Sequence, residues 1–395
     1  IQGNNVVLDN INTVTNQNDS TILAGDSLSM TQVKDLTNAQ STLSATNALV
    51  MDGVENIVNQ KGLISAGTSL DISNAVQLRN IDSSTIQSQG ALNIDNVGLL
   101  KNENASGMLS IDDALTLSDI GVLSNDATSQ ILSAAQITIA DIDTLANQGL
   151  IQANDAMMLK GINRLVNSGE TALIASIEQL TLKAIEEITN ENGAYISSGT
   201  ALILEEIGKL TNSKAILQSA GSVSISAQSM ENIGNDTGEG TGVLAEDSME
   251  LFVADDLVNT GGAILASNDR LDIITDTLSN AKGNNLMGGQ ISGGKVSLST
   301  DTLDNSHGAI QAYENLILNI NKLLKNHEGT LWSDHSLELN IKGDFTLRDI
   351  ADSNPDDNVD DSDNSGTINA KNKLVINTTG DLQIDSALES RGESH

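Results

Sequence analysis

An apolar residue followed two places later by asparagine recurs along this chain at intervals close to 22 residues. The pairs are Val14/Asn16, Leu36/Asn38, Ile57/Asn59, Leu78/Asn80, Leu100/Asn102, Leu123/Asn125, Leu145/Asn147, Leu165/Asn167, Ile188/Asn190, Leu210/Asn212, Met230/Asn232, Leu257/Asn259, Leu278/Asn280, Leu303/Asn305 and Leu324/Asn326. The intervals between successive asparagines stay between 20 and 23 residues, except for 27 before Asn259 and 25 before Asn305. A constant period of this size marks a solenoid, whose repeats cannot bury an apolar face alone and must stack on their neighbours.

Spacing within the repeat decides which solenoid. Gly62, Ile64, Ala66, Leu70 and Ile72 share their offsets with Gly308, Ile310, Ala312, Leu316 and Leu318. Apolar pairs two residues apart belong to strands, in which alternate side chains share a face. Each repeat reads as three short strands, Ile-x-Ala, Leu-x-Ile and Leu-x-Asn, separated by Gly, Ser, Asn and Asp corners. That is the layout of a parallel β-helix. Leu173 to Glu187 also fits a helical pattern, but it keeps the ordinary period and is read as strand. The expected fold is all-β, with about 16–17 rungs stacked at roughly 4.8 Å and an inward asparagine ladder, in one continuous body over residues 1–395. An inward asparagine at a corner can bond both to turn backbone and to the asparagines above and below it.

Composition supports a thin aliphatic core: 38% of residues are hydrophobic, yet only 1% are aromatic. With 53 acidic and 19 basic residues the formal charge is −34, which disfavours nucleic acid and anionic lipid as partners. Absence of cysteine excludes disulfides and thiolate metal sites. The chain opens Ile1-Gln2-Gly3 and holds no apolar run of about 18 residues, so it reads as an interior fragment without signal peptide or membrane span.

Interruptions of a solenoid usually map to loops on one face and are the places to look for function. Three stand out, at 234–242, 282–289 and 351–365; beyond the last, Gly366, Ile368, Ala370, Leu374 and Ile376 resume the repeat. Candidate partner contacts within them are Asp236, Glu239, Asn284, Asn285, Asp356, Asp357, Asp360 and Asp361, to which the single tryptophan, Trp332, is added. The aspartates of the third interruption complete neither an EF-hand nor a calcium β-roll pattern, and the segment reads as a solvated loop. His307 and His327 fall two and one residues after ladder asparagines and read as outward turn residues. No catalytic residue, metal ligand or cofactor is assigned. Carboxylates are not grouped with aromatic platforms as in polysaccharide-cleaving β-helices, and Lys and Arg form no recurrent group, so no enzyme activity is expected.

The phrase Leu-x-Asn-x-x-Gly-x-Ile-x-Ala-x-x-x-Leu-x-Ile, read at Ile57–Ile72, at Leu303–Leu318 and with one shift at Leu257–Ile273, resembles the filamentous haemagglutinin repeat. That resemblance covers nearly the whole chain. It implies an interior segment of a two-partner secretion exoprotein of a Gram-negative bacterium, a right-handed parallel β-helix passed through an outer-membrane partner and displayed on the cell surface. Such proteins include adhesins and the stalks of contact-dependent growth inhibition toxins. A receptor or glycan on a host or neighbouring bacterium would be the partner. The Asn-Pro-containing secretion domain and any toxin or pretoxin motif of that family have no match within these residues.

Overall fold

The computed structural model describes residues 1–235, 240–283, 287–342, 345–347 and 366–384. The chain forms two compact units, Ile1–Ile203 and Leu204–His395. All regular structure among the described residues is β, and within each unit successive turns pair strand on strand in parallel. Among the described residues no helix is long and apolar enough to cross a membrane.

Each turn of the first unit stacks residue for residue on the next. Ile64 pairs with Leu43 on one side and Ile86 on the other, and Asn80 pairs with Asn59 and Asn102. Strict alternation sets the core. In Leu63–Ala66, Ile64 and Ala66 point inward, and in Ser69–Ile81 so do Leu70, Ile72, Leu78 and Asn80. The residue two places after the inward apolar residue of the first strand is almost always Ala or Ser, as at Ala66, Ser88, Ser110 and Ala153. Leu173–Ser176 and Leu180–Glu191 are strands, in agreement with the period rather than the helical pattern.

The three-strand reading needs one correction. From Ser69 to Lys325 the second and third segments run together as a single strand of ten to thirteen residues, such as Ser69–Ile81 and Ala91–Glu103. Between them one residue in the left-handed region turns the chain: Asn74 (φ 56°), Asn96 (φ 51°), Asp119 (φ 50°) and Asp141 (φ 57°) occupy this corner in successive turns. Asn and Asp tolerate that conformation best among residues with a side chain. Because only one residue departs from strand geometry, ladder hydrogen bonds resume on both sides of it.

The second unit makes this corner differently. From Ser222–Ile233 onward the inward alternation continues one step further, through Ala227, Val253, Thr275, Thr300 and Ile320, and the register irregularity follows it. The two threonines are buried but satisfied: Thr275 Oγ1 donates to Asp255 O at 2.9 Å and Thr300 Oγ1 to Asp276 O at 2.9 Å.

Corner carboxylates contribute as well. Asp126 accepts hydrogen bonds from the Asn104 amide (2.6 Å), the Ser129 hydroxyl (2.7 Å), and the Thr128 amide (3.1 Å) and hydroxyl (3.0 Å). Partial burial opposes its ionisation, but the donated bonds outweigh it and hold the carboxyl below its ordinary value of 3.8. A pKa lower in the folded state stabilises above the unfolded value, and that stabilisation is lost as pH falls through the folded value. Asp126→Asn is therefore expected to cost roughly 1 kcal/mol at neutral pH, and the gap to the wild type to close between about pH 5 and pH 2. Thermal melts across that range check it, and a gap independent of pH would contradict it.

Candidate functional site

The ladder of the first unit runs unbroken from Asn16 to Asn190, each Nδ2 donating to the Oδ1 of the next asparagine. The distance is 2.8 Å at Asn16→Asn38, 2.9 Å at Asn80→Asn102 and 2.8 Å at Asn167→Asn190. In the second unit it runs from Asn212 through Asn232, Asn259, Asn280 and Asn305 to Asn326 at 2.7–2.8 Å. Each amide also bonds carbonyls of the corner that follows, as Asn59 does with Gly62 O (3.1 Å) and Thr85 O (3.0 Å). The inward ladder expected from the repeat is thus present, with Asn326 only half-buried at its end. Every buried polar side chain among the described residues is Asn, Ser or Thr, so the interior offers no group for general acid–base chemistry.

That same corner, between the ladder asparagine and the first strand of the next turn, is where the first two interruptions fall. Strand Gly242–Ala245 pairs directly with Ile216–Ser219, so the extra residues lie between Ile233 and Gly242. Asn280 bonds Gly289 O nine residues on, at 3.0 Å, where Asn305 bonds Gly308 O three residues on, at 3.3 Å. Strand Thr330–Ser333 pairs with Thr367–Ala370, and Asn326 reaches Thr367 O at 3.3 Å. The third interruption, 351–365, lies outside the described residues, and the described strands before and after it are Phe345–Leu347 and Thr367–Ala370.

Described residues of the interruptions are tied to the turns beside them. Gly234 N donates to Thr260 O (2.9 Å), Gly261 N to Met287 O (3.1 Å) and Gly288 N to His307 O (3.2 Å). Of the predicted contacts, Asp236, Glu239, Asn284, Asn285, Asp356, Asp357, Asp360 and Asp361 lie outside the described residues. Trp332 is half-buried on the outward face of Thr330–Ser333, in register with Gln311 and Asn369.

A second surface escaped the sequence reading. Phe252 and Ile274, each 53% exposed, stand side by side on the outer face of neighbouring strands. They line a shallow groove of about 380 Å³ with Ser226, Ser299 and the ion pair Arg270–Asp272. The signal was there to be read: a large apolar residue at an outward position, as in Leu251-Phe252-Val253 and Ile273-Ile274-Thr275, breaks the alternation.

No family model matches the chain, and no solved structure matches it. A stretch of 222 residues, 55% of the chain, is 28% identical to Toxin CdiA of Escherichia coli. The match covers 6% of that protein, so the chain spans a small fraction of the length of the relative it matches. The likeness and the parallel solenoid both fit a stalk of the filamentous haemagglutinin kind.

Proposed function

We propose that this chain is a structural and adhesive rod segment of a large secreted bacterial surface exoprotein, one that makes cell contact or presents a distal domain. The reading is non-enzymatic. What supports it is the placement of the first two interruptions at one corner of an otherwise regular frame, where they leave the ladder undisturbed. A frame that tolerates insertion at a single column can vary its contacts without altering its core. The partner would be a receptor or glycan on a host or neighbouring bacterium, and the full-length protein would use an outer-membrane secretion partner.

The experiment is binding of the fragment to intact host and bacterial cells, repeated with 234–242, 282–289 and 351–365 deleted singly. At least one deletion is expected to weaken binding about tenfold or more, the loss of roughly 1.4 kcal/mol. If no deletion alters binding, the interruptions are not the contacts; if the intact fragment binds neither cell type, the adhesive reading fails.

Similarity to Toxin CdiA favours one second reading, that the segment belongs to a contact-dependent growth inhibition effector and projects or forms its receptor-binding region. Full-length coding sequence would separate the two, since a downstream toxin domain supports the second.

A further inference from the structure

Two histidines and a glutamate meet at the corner after the ladder in the second unit. His307 and Glu328 each precede the glycine that closes a corner, Gly308 and Gly329, so stacking puts one above the other; His327 is the neighbour of Glu328. The imidazole rings lie edge to face with centroids 5.6 Å apart. Nδ1 of His307 is 2.6 Å from Oε2 of Glu328, and Nε2 of His327 is 3.9 Å from Oε1 of the same carboxylate. One ligand atom from each residue lies within 4.8 Å of the other two.

The backbone under this cluster is fixed. His307 (φ 60°) and Glu328 (φ 50°) sit in the left-handed region, His307 N donates to His327 O at 2.8 Å, and Gly308 N and Gly329 N close back onto Asn305 O (3.0 Å) and Asn326 O (3.1 Å). The His327 nitrogen nearer the carboxylate is Nε2. Nδ1 of His327 is enclosed and has no hydrogen-bond partner among the described residues. A buried ring nitrogen left unpaired is costly, and rotation of the ring can present either nitrogen to an ion.

We propose that His307, His327 and Glu328 bind one divalent ion of the zinc class, clamping two consecutive turns at their shared corner. Two imidazoles and one carboxylate suit borderline transition metals; calcium and magnesium would require a shell of oxygens. With metal–ligand bonds near 2.0–2.2 Å, ligand atoms around a tetrahedral ion lie about 3.3 Å apart. The His307–Glu328 contact must open and the His327–Glu328 separation must close, which side-chain rotation on a fixed backbone accomplishes. Glu328 is exposed, so the fourth position is open to water. This inference does not depend on the adhesive reading.

The test is calorimetric titration of the untagged, chelator-treated chain with zinc chloride, alongside His307→Ala, His327→Ala, His335→Ala and His395→Ala. One zinc per wild-type chain is expected, with affinity lowered at least about tenfold by the first two substitutions and unchanged by the last two. Cobalt(II) bound to the wild type should give the absorption of a tetrahedral nitrogen–oxygen site, a readout that needs no variant to fold. A wild type that takes up no zinc, uptake that survives in either His307→Ala or His327→Ala, or an octahedral cobalt spectrum overturns the assignment.

Discussion

Asn147→Leu is expected to destabilise the first unit by about 3 kcal/mol, because it removes hydrogen bonding from a site that leucine otherwise fills. Asn147 is 1% exposed. Its Nδ2 reaches Asn167 Oδ1 (2.8 Å), Gly149 O (2.9 Å) and Leu173 O (3.3 Å), and its Oδ1 accepts from Asn125 (2.8 Å). The carbonyls keep some bonding, since Leu173 N still donates to Gly149 O at 2.9 Å. Of the neighbouring amides, Asn125 loses its shortest acceptor and keeps Ser129 O and Leu150 O, each at 3.3 Å, whereas the fully buried Asn167 Oδ1 loses the amide that donates to it. Leaving such groups unpaired costs roughly 1–3 kcal/mol each, far more than the gain from one additional apolar side chain at a polar column. The control is Asn163→Leu, whose amide bonds Asp143 at the surface (3.0 Å) and whose loss should stay within about 0.5 kcal/mol. Denaturant melts of the two variants decide it, and equal midpoints would remove the ladder from the account of stability. Stacked repeats depend on their neighbours, so the loss should extend to the adjoining turns, read as faster amide exchange on both sides of Asn147.

The frame was legible in the sequence because its determinants are local and repeated. Leu145-Ala146-Asn147 states an inward apolar residue, an outward one and an inward amide, and the neighbouring turns repeat it. What failed to show was the path of the chain between the second and third segments. The left-handed corner at Asn74 and the extended corner at Ala227 differ by one outward residue: Ala75 follows the inward Ile72 by three places, whereas Ala227 follows the inward Ile225 by two. A pattern search that counts apolar pairs passes over both. The chemistry of the corner was nevertheless written there: Asn74, Asn96, Asp119 and Asp141 form one outward column, each one residue before the inward Ala75, Val97, Ile120 and Ile142, and that column is missing before Ala227, Val253, Thr275 and Thr300.

Stretched spacing located the interruptions but did not reveal that the first two share a corner, since that requires knowing which residue begins each turn. His307 and His327 were hidden because the two histidines have different offsets, two and one residues after their asparagines. The residue that shares the offset of His307 is Glu328, each one place before its glycine, and the cluster follows once carboxylates are compared with histidines. Phe252 and Ile274 were missed for the opposite reason, as apolar residues in an apolar phrase draw no notice until the face of each is known.

Gly62→Ala is expected to cost about 3 kcal/mol, the upper end for forcing an added methyl into a packed interior. It explains why the turn at Asn59 places glycine three residues after asparagine. Gly62 is not in a left-handed conformation, so its value is not backbone freedom. A Cβ there would lie 2.6 Å from Asn38 Nδ2, 2.6 Å from Asn59 Oδ1 and 2.7 Å from Asn38 O. Two of these atoms belong to ladder amides already bonded to each other at 2.8 Å, and the third is backbone, so relief requires breaking the ladder or separating two turns. Gly169 provides the comparison within the same unit. It has φ +108°, and no atom lies within 4 Å of the place an added methyl would take, so Gly169→Ala carries conformational strain alone, about 1 kcal/mol. Combining Gly62→Ala with Asn38→Ser removes one clashing amide, and the double variant should therefore be less unstable than the sum of the single ones. If Gly62→Ala cost no more than Gly169→Ala, the glycine would owe its place to the turn and not to the ladder. The larger loss at Gly62 would tie two letters of this phrase, asparagine and the glycine after it, to one local steric fact: between Asn38 and Asn59 the space admits a hydrogen and no more, although the neighbouring turns place Ser41 and Ser84 in the same column.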